Sequence, residues 1–253
     1  MIQIKNKSSI AKMEKAGKLI SEIFNEISDI IKPEVSTAQI NTAIAQKLKK
    51  KGLVSRCKGY AGYDYESCIS INDEVIHGLP SEEKKLKNGD LVKIDICASW
   101  KNYCADMARM FIVGSVSNRA QELIDVAQSA LDIGISKAKS GNHLSDISAA
   151  IQQEVERHGF SVIRDFAGHG IGKKLHEDPE VPNFGEPGKG PLLRPGMALA
   201  IEPMIAEGDY SVYITDDGWT VKTVDNGLSA HIEDTVIITE NEPKIITRHM
   251  TNG

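Results

Sequence analysis

The sequence predicts an α+β fold in one domain spanning 1–253, with room for two similar halves. Three observations carry this. Apolar residues recur every three or four positions in four separate stretches, the mark of amphipathic helices. Strand-like runs occupy five others. The order of helix pair then strands occurs once in each half, although the recurrence is too weak to be a sequence repeat.

Met13, Ala16, Ile20, Ile23, Ile27 and Ile30 set the first helix, from Ser8 to Ile31 behind a serine cap, and Pro33 stops it. Ser36 to Gln39 has the form of a capping box, and Ile40, Ile44 and Leu48 carry a second helix to Gly52. Two further helices fit Asn118 to Lys137 and Ser145 to His158. Strands are expected at Cys68 to Ile71, Leu91 to Trp100, Tyr103 to Val113, Met197 to Ala206 and His231 to Thr239.

With 41% hydrophobic and 26% charged residues, the chain has the composition of a folded globular protein. A net charge of −5 gives no general pull toward nucleic acid or acidic membranes, and the lysines from Lys47 to Lys51 read as a solvated helix end. No run approaches a membrane span and the opening lacks a signal peptide's apolar core, so a cytoplasmic location is expected. The 4 cysteines, Cys57, Cys68, Cys97 and Cys104, form no CxxC pair and read as free thiols.

The pair of strands around Lys101-Asn102 is the most informative stretch. Strand alternation turns Asp95 away from the isoleucine face. A two-residue turn at Lys101-Asn102 places Cys97 opposite Asp106, with Asp95 and Asp106 as diagonal neighbours on one face. Two like charges aimed at one spot on an apolar sheet call for a shared proton or a cation. A three-residue loop instead breaks the parity and turns Asp106 away, and the aspartates alone do not decide between the two.

The histidines shift the balance. Gly168, Gly170 and Gly172 bracket His169, and the spacing predicts an irregular loop carrying His169 and His176, where backbone can approach a ligand. Glu202 shares a face with Ala198 and Ala200 in an apolar strand, and Glu233 sits in another, with His231 on its face. Asp95, Asp106, His169, Glu202 and Glu233 thus offer four carboxylates and one imidazole. That is more negative charge than one divalent ion requires, and it suits two ions bridged by carboxylates.

Taken together, "VIHGLP" at Val75 to Pro80, the Asp95/Asp106 pair, "GHGIG" and "LHEDP" around His169 and His176, "AIEPM" around Glu202 and "HIEDT" around Glu233 resemble the type I methionine aminopeptidases of the M24 peptidases, from about Ala11 to Thr247. The resemblance implies the pita-bread (creatinase/aminopeptidase) fold, two pseudo-symmetric halves with a curved antiparallel sheet backed by helices. It implies a single catalytic metallo-aminopeptidase domain that hydrolytically removes the initiator methionine from nascent polypeptides whose second residue is small. Two divalent metal ions are implied per chain, drawn from Co, Mn, Fe or Zn.

By the same resemblance, Asp95 chelates one ion, His169 and Glu202 hold the other, and Asp106 and Glu233 bridge them. Glu202 is the expected proton shuttle, His176 steadies the carbonyl oxygen of the substrate, and His77 lies on the side of the scissile nitrogen. Tyr60, Tyr63, Cys68 and Trp219 match the methionine pocket, whose apolar walls suit a thioether. Leu175 stands where many relatives carry an aromatic residue, Cys97 where they often have threonine, and His231 matches no coordinating position.

Xaa-Pro peptidases share the fold but usually add an N-terminal domain, whereas here the fold begins near Met1. A type II enzyme would need a helical insert between Glu202 and Glu233, for which there is no room, and a binding module should lack ligands that are all present. The expected partners are N-termini of nascent polypeptides, with no membrane and no direct nucleic-acid contact. The ribosome stays an open partner, since no zinc-binding or proline-rich extension is seen, and a monomer is expected on family grounds.

Overall fold

A computed structural model describes residues 1–248. The first half opens with α1 (Lys7–Ile27) and α2 (Thr37–Lys50). Strands β1 (Val54–Ser55), β2 (Cys68–Ile71), β3 (Glu74–Ile76), β4 (Leu91–Trp100) and β5 (Tyr103–Ile112) follow. The second half repeats the order with α3 (Asn118–Lys137) and α4 (Leu144–Arg157), then β6 (Ser161–Val162), β7 (Ala167–Gly170) and β8 (Glu177–Pro182). It closes with β9 (Ala198–Ile201), β10 (Met204–Ala206), β11 (Val212–Ile214), β12 (Val221–Thr223), β13 (Ser229–His231), β14 (Glu233–Ile237) and β15 (Lys244–Ile245).

Asn6 rather than a serine caps α1, its side chain accepting from Ser9 N, and a short 3-10 turn at Ser28–Ile30 ends the helix before Pro33. The buried face of α1, including Met13, Ile20, Ile23 and Phe24, lies on β4 and β5. Each fully buried isoleucine there contributes about 2 kcal/mol. The capping box of α2 is formed as read, with Ser36 Oγ accepting from Gln39 N at 3.1 Å and Gln39 Oε1 accepting from Ser36 N at 2.9 Å. Of the lysines at its end, Lys49 and Lys50 are exposed as read, while Lys47 reaches Glu26 and Lys51 reaches both Glu22 and Glu26.

Among the described residues, nine strands form one antiparallel sheet in which β1, β4, β5, β14, β9, β7 and β8 lie side by side, with β2 on β4 and β15 on β14. Strands of the two halves meet where β14 inserts between β5 and β9. Helices α3 and α4 pack on each other, and α3 covers β9, β13 and β14. Lys101 and Asn102 both take positive φ, at 49° and 62°, the backbone of a two-residue type I′ turn. The register therefore sets Cys97 opposite Asp106, and the three-residue alternative is excluded.

Three expectations change. His169 lies within β7, paired with Glu180 of β8 and Ala200 of β9, and not on an irregular loop. The flanking glycines serve close packing: a Cβ on Gly168 would collide with the Ala200 carbonyl oxygen, and one on Gly170 with that of Asp178. The run from Met197 to Ala206 divides into β9 and β10 at Glu202-Pro203, where proline has no N–H for the ladder. That from His231 likewise breaks at Ile232, separating β13 from β14.

Candidate metal centre

Strand parity and these two breaks aim the acidic side chains at one place. A cavity of about 90 Å³ is lined by Asp95, Asp106, His169, Glu202 and Glu233, with His77, His176, Tyr60, Tyr63, Cys68, Cys97, Leu175 and Trp219. All the residues singled out in the sequence except His231 are on its wall. Among the described residues, no lysine or arginine lines it.

Asp106 is held from behind. The ladder between β5 and β14 stops at Met107 and Asp234, and Thr235 completes it with its side chain. Its Oγ1 accepts from Asp106 N and donates to Asp106 O, both at 2.8 Å. Glu233 and Asp234 are neighbours on β14, so parity separates their fates. Glu233 faces the cavity. Asp234 turns to the other side, where Arg109, Arg248 and Thr247 donate to it.

Burial raises the pKa of every cavity carboxyl, and mutual repulsion adds to this for all but Glu202. Asp106 rises to about 7 and Glu202 to about 8, while Asp95 and Glu233 are pushed well above the usual carboxylate range. Burial has the opposite effect on the imidazoles, lowering His169 to about 3 and His77 and His231 to about 4. His176 is lowered by the same cause.

The donor set fits cations. Asp95 Oδ1 and Glu233 Oε1 are buried without a hydrogen-bond partner, an arrangement that leaves lone pairs to be satisfied. Asp106, His169 and Glu233 offer ligand atoms within 4.8 Å of one another, and Glu202, His231 and Glu233 form a second such trio. The trios share Glu233. Asp95 belongs to neither, and the nearby Asp106 carboxylate adds to burial in raising its pKa.

Around the acids the walls are apolar and aromatic. Tyr63 is buried, its hydroxyl donating toward Ser67 O and Gly78 O, and its ring meets Trp219 edge-on at 5.0 Å. His77 adopts a left-handed backbone at φ 58°, a strained conformation for a non-glycine residue, and its ring rests between Phe166 and Trp219. His176 lies on the bend before β8, with its ring 4.3 Å from that of His169. Glu177 anchors that bend by binding Lys5 Nζ at 2.6 Å and accepting from Lys173 N at 2.8 Å.

Two residues escaped the sequence reading. Cys57 lines the cavity beside Cys68, and only its place shortly before Tyr60 and Tyr63 hints at this. Phe166 packs on His77, with no local signal in the sequence. All 4 cysteines are free and buried, as expected.

A buried acid cage of this kind, in a two-half antiparallel fold, has the donor set of a metal-dependent enzyme. The chain belongs to metallopeptidase family M24, whose profile matches residues 11–240. It is similar to the methionine aminopeptidase of Clostridium perfringens, 48% identical over 247 residues covering 98% of this chain and 99% of the relative. Methionine aminopeptidase 1 of Bacillus subtilis is 42% identical, covering 98% and 100%. The solved methionine aminopeptidase of Thermotoga maritima superposes with a TM-score of 0.97 at 45% identity, over 98% of this chain and 100% of that one. The architecture is the pita-bread fold. Among the described residues, no helix is long and apolar enough to cross a membrane.

Proposed function

We infer that this enzyme hydrolytically removes the N-terminal methionine from newly made polypeptides when the second residue is small. The observation that carries the reading is the junction of a carboxylate cage with an aromatic-walled pocket. The pocket formed by Tyr63, Cys57, Cys68, Leu175 and Trp219 suits a methionine side chain, whose sulfur gains from aromatic contact. The reading carries with it action as a single catalytic domain and a monomer in the cytoplasm, where nascent chains arise.

Asp95, Asp106, His169, Glu202 and Glu233 would hold two divalent ions, of Co, Mn, Fe or Zn, with Asp106 and Glu233 shared between them. Such ions, when bound, lower the pKa of water and polarise a carbonyl. Glu202 takes a proton at its carboxylate and passes it to the departing amine. His176 donates to the carbonyl oxygen as negative charge develops there. His77, fixed by Phe166 and Trp219, orients the scissile nitrogen.

The test is hydrolysis of Met-Gly-Met beside Gly-Pro peptides, with Mn(II) or Co(II) added. Release of methionine from the first alone is expected. Cleavage of the Gly-Pro peptides alone would turn the reading to an Xaa-Pro peptidase, and cleavage of neither would leave a binding module.

A further inference from the structure

His231 is buried beside Glu202 and does not itself line the cavity. It ends β13, where the ladder pairs it with Met204, and Glu202 lies just upstream of Met204 across the Pro203 break. This puts His231 Nε2 at 3.3 Å from Glu202 Oε2. The other carboxylate oxygen, Oε1, faces His169 Nε2 at 3.6 Å. Each oxygen of one glutamate is thus addressed by a different imidazole.

The two imidazoles differ in what else they can do. His169 lines the cavity and also approaches Asp106 at 3.8 Å. His231 is 2% exposed, is absent from the cavity wall, and its Nε2 has no hydrogen-bond partner at ideal geometry. A buried N–H without a partner is unfavourable, and the carboxylate is the acceptor within reach. A neutral imidazole has one N–H to donate, and placing it on Nε2 satisfies both groups with a small rotation.

We propose that His231 is a positioning residue for Glu202, donating from Nε2 to Oε2 and so turning Oε1 toward the cavity. The inference rests on the reading of Glu202 as the proton carrier. A carboxylate free to rotate delivers its proton from the wrong geometry, which lowers the rate of the chemical step more than substrate affinity. His231 itself touches neither substrate nor reacting atoms.

His231→Leu removes the donor at similar volume. Loss of a hydrogen bond to a charged group predicts a kcat lower by about 10- to 100-fold, with KM within about twofold. His231→Gln, whose amide nitrogen can reach the place of Nε2, should recover most of kcat. His231→Asn is too short and should not, which keeps the test open if the leucine variant fails to fold.

Calorimetric titration with Mn(II) and the visible spectrum of the Co(II)-substituted protein supply readouts independent of turnover. The leucine or asparagine variant should bind the wild-type number of ions but show an altered spectrum, with the glutamine variant close to wild type. Loss of an ion would make His231 a ligand and overturn the proposal, as would an unchanged kcat and spectrum, or a glutamine variant as slow as the leucine one. A wild-type protein that releases no methionine would sink the functional reading alone, and the spectral comparison would still judge His231.

Discussion

The ring nitrogen Nδ1 of His176 lies 2.6 Å from the hydroxyl of Tyr60, with the two rings edge-on and 5.0 Å between centroids. This bond fixes the direction of the imidazole that the functional reading sets against the substrate carbonyl. Tyr60 is 43% exposed, so water competes for the bond and its net value is about 1 kcal/mol. Tyr60→Phe should lower kcat by about fivefold with little change in stability. Steady-state kinetics on a Met-Gly substrate decide it, and a variant at the wild-type rate would show that the bond does not orient His176.

Thr235 bonds both backbone polar groups of Asp106 through one hydroxyl. Valine at this position keeps the shape and leaves a buried N–H and C=O unpaired. Thr235→Val should lower the unfolding free energy by about 2 kcal/mol and weaken metal binding, since Asp106 loses its support. Denaturant melts of the metal-free protein and calorimetry of the loaded form measure the two effects separately. A stability change under about 0.5 kcal/mol would mean that the strand pairing closes without the hydroxyl.

Lys5 and Glu177 each show 5% of the side chain to solvent, and their pairing holds the bend that carries His176. Removing one partner leaves a buried charge uncompensated. Glu177→Leu should destabilise by about 3 kcal/mol and slow turnover, while Lys5→Met combined with Glu177→Leu should recover part of the stability. A double-mutant cycle in urea gives the coupling energy, and strict additivity would refute the pairing.

The raised carboxyl pKa values make the metal-free protein sensitive to alkali. Asp106 and Glu202, at about 7 and about 8 when folded, bind protons in the native state that the unfolded chain has lost above its ordinary values of 3.8 and 4.5. Their contribution is full below those ordinary values and disappears as pH rises through the folded ones. The buried histidines act oppositely only below their unfolded value of 6.5, and buried Lys93, lowered to about 7, offsets part of the loss above that pH, while Asp95 and Glu233, raised well above the usual carboxylate range, sustain it. From pH 6.5 to 8 the metal-free protein should therefore lose stability, and the rise in Tm produced by Mn(II) should grow. Equal metal-induced shifts at pH 6.5 and pH 8 would contradict the protonated cage.

The site was legible where a strand's period of two governs it. Asp95 and Asp106 could be set on one face from the spacing, but only the turn at Lys101-Asn102 settles their convergence, and turn length is a property of φ values. Glu202 and Glu233 stood out because acids interrupt apolar strands. Glycine was the weaker guide: around His169 it signals strand crowding, which depends on Ala200 and Asp178 far along the chain. Lys93 shows the same limit. It lies on the face of Asp95, where a lysine reads as exposed, yet it is 2% exposed, with its ammonium donating to Asn72 O, Ser229 O and Ser229 Oγ. Those acceptors come from two distant segments, so no local pattern announces them.

The seam at which β14 enters between β5 and β9 governs when this catalyst can first work. Translation must pass Glu233 before the early hairpin acquires its neighbour and the last acid arrives. Fragments ending earlier hold an open sheet edge and an incomplete cage. The chain therefore holds an incomplete set of cavity acids until its own synthesis is almost over.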